Sequence, residues 1–175
     1  MVQSFNRMSN RFILKDDEGA LVVRYSTDLV KKTVRGMNSV GLTKKTPKEI
    51  VEREINALKL LSGVPGIQRF VRQESEDTIY TEFVEGVSLF QFKGKVGKEY
   101  FDELEIILEE CYKNGVYRIG QNRTDYLITK ENKQIVIDFG NAFFDTDLAS
   151  SIPGVIGAIK GYTSLRLFDL KRRYT

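Results

Sequence analysis

The chain has 175 residues, 27 basic and 24 acidic side chains, one cysteine, and neither tryptophan nor histidine. Without histidine there is no Ser-His-Asp triad, no Cys-His pair, no His-ligated metal and no imidazole proton transfer. The single thiol, Cys111, excludes disulfide frameworks and all-cysteine zinc sites, so chemistry falls to carboxylates, lysines, arginines, backbone groups and whatever they hold.

The length suits one domain, or two small lobes sharing a core. Apolar residues at 41% and charged residues at 29% are ordinary for a soluble globular protein. No run approaches the roughly 18 apolar residues of a membrane helix. The first dozen residues lack the apolar stretch of a signal peptide, and the expected location is the cytoplasm, where a lone thiol stays reduced. Charge is uneven: residues 1–60 are net basic, 61–140 net acidic and 141–175 net basic. A basic first third beside an acidic middle suits a polyanionic ligand or a solvated surface. No basic tract favours nucleic acid.

In chain order, residues 11–15 and 20–25 read as strands around the turn-forming Asp16-Asp17-Glu18-Gly19. Residues 29–34, LVKKTV, are a third short strand, and the polar stretch 36–45 is a loop. Residues 47–62 give the clearest helix. Thr46 is its N-cap, Pro47 its first residue, Glu49 completes a capping box, and Gly63 ends it. Ile50, Val51, Ile55, Ala57, Leu58 and Leu61 fill one arc, while Glu52, Arg53, Asn56 and Lys59 lie opposite. Strands follow at 67–72 and 78–83, then a Gly/Lys-rich loop at 86–97. A second helix spans 98–114, with Phe101, Leu104, Leu108 and Cys111 at helical spacing. Residues 126–129 and 134–137 form a β-hairpin. Residues 152–174 read as a helix broken near Gly161, with a basic last turn. Its apolar face can pack on the second helix or lie on a membrane surface. The pattern is an α+β chain: an N-terminal sheet followed by a mainly helical part.

Three features carry chemistry. Glu54 points into the middle of the apolar arc of the first helix, where a carboxylate requires a cation. The preceding strand offers Lys31 or Lys32, and alternation puts Val30, Lys32 and Val34 on one face and Leu29, Lys31 and Thr33 on the other. A structural ion pair, or a helix rotated to expose Glu54, would also explain it. Secondly, a symmetric connection of two or four residues centred on Glu131-Asn132 sets Asp125 opposite Asp138. Two adjacent carboxylates suit Mg²⁺ held jointly with phosphate oxygens, or else cap turns at the strand ends. Thirdly, Ile137-Asp138-Phe139-Gly140 follows a buried strand.

Together these resemble the protein-kinase-like superfamily. REINALKLL around Glu54 resembles the αC helix, LVKKTV the lysine-bearing strand, residues 78–89 the strand and hinge, and YLIT with IVIDFG the hairpin ending in Asp-Phe-Gly. The resemblance implies a minimal two-lobe fold, with an N-lobe over 1–85 and a reduced, mainly helical C-lobe over 86–175, since only 35 residues follow Gly140. It makes Lys31 the phosphate-binding lysine, with Lys32 as the alternative. It places adenine against backbone groups of Glu82 and Val84, and a metal on Asp138 and Asp125. ATP and Mg²⁺ are the implied cofactors. Among branches, the chain is most similar to small atypical types: the tRNA-modification-complex kinase, RIO and lipopolysaccharide-core kinases.

The chain departs from that pattern at two places. Counting back from Asp125, the family's catalytic aspartate position holds Gly120 and its histidine position Arg118. Neither Gln121 nor Asn122 is a useful base at neutral pH. The phosphate-covering loop has one glycine and three acidic residues. The resulting expectation is a pseudokinase or nucleotide-binding module acting through a protein partner. The alternatives are an active phosphotransferase with rearranged chemistry, in which Asp125 doubles as ligand and base, and an unrelated α+β interaction protein.

Overall fold

The computed structural model describes residues 12–36, 38–40, 43–117, 122–147 and 152–175. Strand β1 (Phe12–Asp16) turns through Asp17–Gly19 into β2 (Ala20–Arg24), which pairs with β3 (Leu29–Val34). The Asp17 carboxylate accepts from the amides of Gly19 and Ala20, so the turn is closed by its own side chain. Two short strands, β4 (Asn38–Val40) and β5 (Thr43–Lys45), pair where the sequence suggests a loop.

Helix α1 (Pro47–Leu60) begins as its sequence dictates: Thr46 is extended and exchanges capping-box bonds with Glu49. It buries Ile50, Val51, Glu54, Ile55, Ala57 and Leu58. Next come β6 (Phe70–Ser75) and β7 (Thr78–Glu82), completing a five-stranded antiparallel sheet of order β1-β2-β3-β7-β6. The strand expected from residue 67 starts at Phe70. Residues 66–68 pair instead with Val136: its amide donates to Gly66, its carbonyl accepts from Gln68, and Ile67 bridges it in parallel.

The region read as a Gly/Lys loop contains β8 (Gly86–Ser88). It joins β10 (Tyr126–Thr129) and β11 (Gln134–Val136) in a second sheet of order β11-β10-β8. Helix α2 (Lys98–Lys113) ends at β9 (Val116–Tyr117), which pairs with β12 (Phe143–Phe144). The last element, α3 (Val155–Tyr174), runs unbroken through Gly161, where a break was expected. A helical glycine costs only about 1 kcal/mol relative to alanine. Burial of Thr163, Leu167, Leu170 and Tyr174 holds the turns beyond it. Lys171 pairs with Asp102 of α2 at 2.5 Å, and α3 packs on α2. Among the described residues no helix is long and apolar enough to cross a membrane.

Two apolar clusters result. Val34, Ile50, Val51, Ile55 and Ile79 lie between the five-stranded sheet and α1. The larger cluster gathers Ala57 and Leu58 of α1 and its C-cap Leu61 with α2, α3 and the second sheet, and takes in Phe139. A cleft opens between the five-stranded sheet and the β8–β10–β11 sheet.

Candidate functional site

Pleat alternation gives β3 two faces, and the docking of α1 on one of them settles which lysine enters the cleft. Val30 and Val34 are buried on the face of β3 that meets α1, and Lys32 lies between them on that face. Its ammonium donates to Glu54 Oε2 at 2.7 Å and to Asp138 Oδ1 at 2.9 Å. Lys31 points to the other face, where it pairs with Glu74 and approaches the Tyr80 ring. Of the two candidate lysines, Lys32, the alternative to Lys31, is the one that reaches Glu54, because α1 packs on the valine-bearing face.

Glu54 is 1% exposed, as its place in the apolar arc requires. Burial pushes its carboxyl up and the Lys32 ammonium opposes this. Burial alone would lower Lys32, but Asp138 and Glu54 outweigh it and hold the ammonium above its ordinary range. Lys32 in turn holds Asp138 below the usual carboxylate range. These three groups form one chain of net charge −1, in which the Lys32 ammonium is shared between a buried carboxylate and one that reaches solvent.

The hairpin register differs from the symmetric expectation. Tyr126 opposes Val136 and Leu127 opposes Ile135, around a three-residue loop with Asn132 at φ 59°. Asp125 therefore faces Ile137, whose amide donates to its carbonyl at 2.9 Å. Asp138 lies one residue further and takes φ 66°, a left-handed conformation outside the strand. That turn directs its carboxylate to Lys32, while Phe139 is buried in the larger core. Asp125 is 8% exposed and accepts from the Asn122 amide and the Thr124 hydroxyl, each at 3.0 Å. Burial, reinforced by the Asp138 charge, pushes its carboxyl up to about 7. The two aspartates thus sense one another despite the shifted register. Both line the cleft, and their oxygen-only donors are of the kind that Mg²⁺ takes together with phosphate oxygens and water.

The cleft has a volume of about 550 Å³. Leu14, Val22 and Val30 form one wall, and Ser88, Leu127 and Ile137 the other. Phe83 and Val84 lie along its edge, but Glu82 is not among the lining residues. The backbone of Glu82 is engaged: its amide donates to Arg69 and its carbonyl accepts from the Gln68 side chain, both at 2.9 Å. Of the two expected hinge positions, Val84 faces the cleft and Glu82 does not. Gly120, Arg118 and Gln121 lie outside the described residues.

Four contributors were missed by sequence reading. Arg53, assigned to the solvent side of α1, is half-buried and grips Asp147 with two bonds of 2.9 and 2.7 Å, and Ala142 with a third of 2.9 Å. This fixes α1, and hence Glu54, to the segment following Gly140. Lys15 lines the cleft and pairs with Asp17 at 3.1 Å, while Arg35 pairs with Asp16 at 2.6 Å. The acidic turn is thereby largely neutralised by neighbouring cations. Gln68 enters because residues 66–68 cross to β11. A bidentate Arg–Asp pair so far apart in sequence has no local signal, and an irregularity in β1 between Ile13 and Lys15 puts Lys15 on the cleft beside Leu14, against strict strand alternation.

No protein-family model matches the chain, and no curated protein sequence matches it. Solved structures do. The Rio2 kinase from Chaetomium thermophilum superposes with a TM-score of 0.65 at 15% identity, over 91% of this chain and 55% of that one. A Rio2 kinase–ADP/Mg²⁺–phosphoaspartate complex from the same organism gives 0.62 at 17% identity, over 91% and 53%. The chain thus spans about half the length of these structures. The α+β architecture, with its antiparallel N-terminal sheet and three described helices of which the last is C-terminal, is similar to the kinase-like Rio2 fold.

Proposed function

We propose that this chain is a kinase-like nucleotide-binding protein that takes ATP with Mg²⁺ in the cleft and acts, as a pseudokinase of RIO-like type, on a protein partner in the cytoplasm. The observation that carries the reading is Lys32, which joins Glu54 to Asp138 at the base of a cleft that Asp125 also lines. A lysine held by a buried carboxylate presents a fixed cation to phosphate oxygens, and the two aspartates supply metal ligands on the facing side. Apolar Leu14, Val22, Val30 and Leu127 suit a purine ring, with the Val84 backbone as its hinge contact. The two apolar clusters support reading 1–85 and 86–175 as lobes meeting at this cleft. The similar Rio2 structure, solved with ADP and Mg²⁺, supports these ligands.

Phosphoryl transfer is the second reading. It is favoured by Asp125, whose carboxylate lines the cleft beside Asp138 and offers a proton acceptor that Gly120 cannot supply. Calorimetric titration with Mg-ATP tests the binding claim: one saturable site is expected, lost in Asp138→Asn, and no heat at millimolar nucleotide overturns it. Transfer from γ-labelled ATP then separates the readings. A pseudokinase transfers nothing until Gly120→Asp is introduced. Transfer by the natural chain that Asp125→Asn abolishes assigns it as an enzyme.

A further inference from the structure

Beside the nucleotide cleft lies a second concavity, of about 350 Å³, lined by Arg123, Arg166, Asp169, Leu170, Arg172 and Arg173. Among the described residues four guanidinium groups and one carboxylate line it, Arg166 being engaged by contacts of its own. The last turn of α3 sorts its cations: Lys171 turns to α2 and neutralises Asp102, whereas Arg172 and Arg173 make no ion pair among the described residues. The negative end of the α3 dipole favours cations in that last turn, but its effect falls off within one turn and does not reach Arg166 or the separate loop that bears Arg123. Arg123 is held in place by its neighbours, with its guanidinium 5.0 Å from the Phe90 ring centre and donating to the Tyr174 hydroxyl at 3.4 Å. Like charges gathered in one hollow repel unless an anion joins them. Guanidinium forks match the oxygens of phosphate.

We propose that this hollow binds the phosphate group of a small phosphorylated molecule. Its position gives it a purpose that rests on the nucleotide reading. Arg123 precedes Thr124 and Asp125, and both of those and Phe90 line the cleft. A phosphorylated ligand anchored by the arginines therefore lies alongside bound nucleotide, as an acceptor or as an effector. The anion site itself requires no nucleotide.

Inorganic phosphate is the probe, titrated into the full chain without nucleotide and followed by ³¹P line broadening and by thermal shift, with chloride at matched ionic strength as the control. Saturable binding at one site is expected. It should weaken at least tenfold in Arg166→Gln/Arg173→Gln and survive in Asp138→Asn, which loses Mg-ATP. Arg172→Gln, at an exposed position, gives a weaker loss and serves if the double variant fails to fold. Equal effects of chloride and phosphate, or unchanged affinity in the arginine variants, overturn the proposal. So does loss of phosphate binding in Asp138→Asn, which would place the phosphate in the nucleotide cleft and leave the nucleotide reading standing. A single-stranded oligonucleotide that binds far more tightly than phosphate, with a steep salt dependence, would reassign the hollow to a nucleic-acid backbone and likewise overturn it.

Discussion

Lys32 and Glu54 stand 22 residues apart in sequence and meet at 2.7 Å, the lysine side chain 13% exposed and the glutamate 2%. Glu54 is not tolerable in that position without the lysine. The pair ties the five-stranded sheet to α1, and its second bond, to Asp138, ties both to the end of the β10–β11 hairpin.

Two adjacent lysines give a sharp contrast. Lys32→Met leaves Glu54 buried without a cation, a change worth about 3–5 kcal/mol for a broken buried pair. It should also abolish Mg-ATP binding. Lys31→Met removes only a partly exposed pair with Glu74 and should leave both properties nearly unchanged. Urea denaturation and nucleotide titration of the two variants check this. Equal effects would mean that β3 presents its other face.

Arg53 acts through α1 rather than on ligand. Arg53→Met removes both bonds to Asp147 and the bond to Ala142. We expect a several-fold weaker Mg-ATP affinity, with partial rescue by Arg53→Lys, which keeps the charge but loses the bidentate geometry. A merely stabilising contact would lower the melting temperature while leaving the affinity of the folded protein untouched.

Asp125 predicts an unusual pH dependence. Its folded pKa, raised to about 7, exceeds the ordinary aspartate value, so between about pH 4 and 7 the folded state binds more protons than the unfolded state. Metal-free stability should therefore fall as pH rises through that window and level off above it. Glu54, also raised, adds a slope of the same sign. Asp138, lowered, acts the opposite way: its contribution is present above the unfolded pKa and disappears as pH falls through its folded value. Denaturation between pH 4 and 8 should show a shallower decline for Asp125→Asn. An identical slope would remove Asp125 as the source.

Gly140 is required by packing rather than by backbone conformation. A Cβ there would come within 2.7 Å of Ile50 Cγ2 on α1 and 3.6 Å of Glu54 Oε2. Gly140→Ala should cost about 1–3 kcal/mol, the range for overpacking a filled site. It should also weaken nucleotide binding by shifting Asp138 relative to Lys32. Melting curves and titration read the two effects separately, and full stability in the variant would show that α1 yields.

By itself the sequence determined the local elements and the chemistry that is absent. The capping box at Thr46 and Glu49, the buried place of Glu54 and the α+β order all follow from short-range periodicity and capping, as does the exclusion of histidine chemistry. The hairpin was legible too, but not its register. A three-residue loop with Asn132 left-handed differs from a symmetric one by a single residue, and that shift moves Asp125 opposite Ile137. The tertiary structure decided which lysine meets Glu54, because alternation defines two faces of β3 and the docking of α1 settles which is inside. It also decided that Arg53 is a clasp on Asp147 and that four arginines share one hollow. Those arrangements join residues tens of positions apart. Their energy comes from charges meeting after the chain has folded, and no periodicity in the sequence records it.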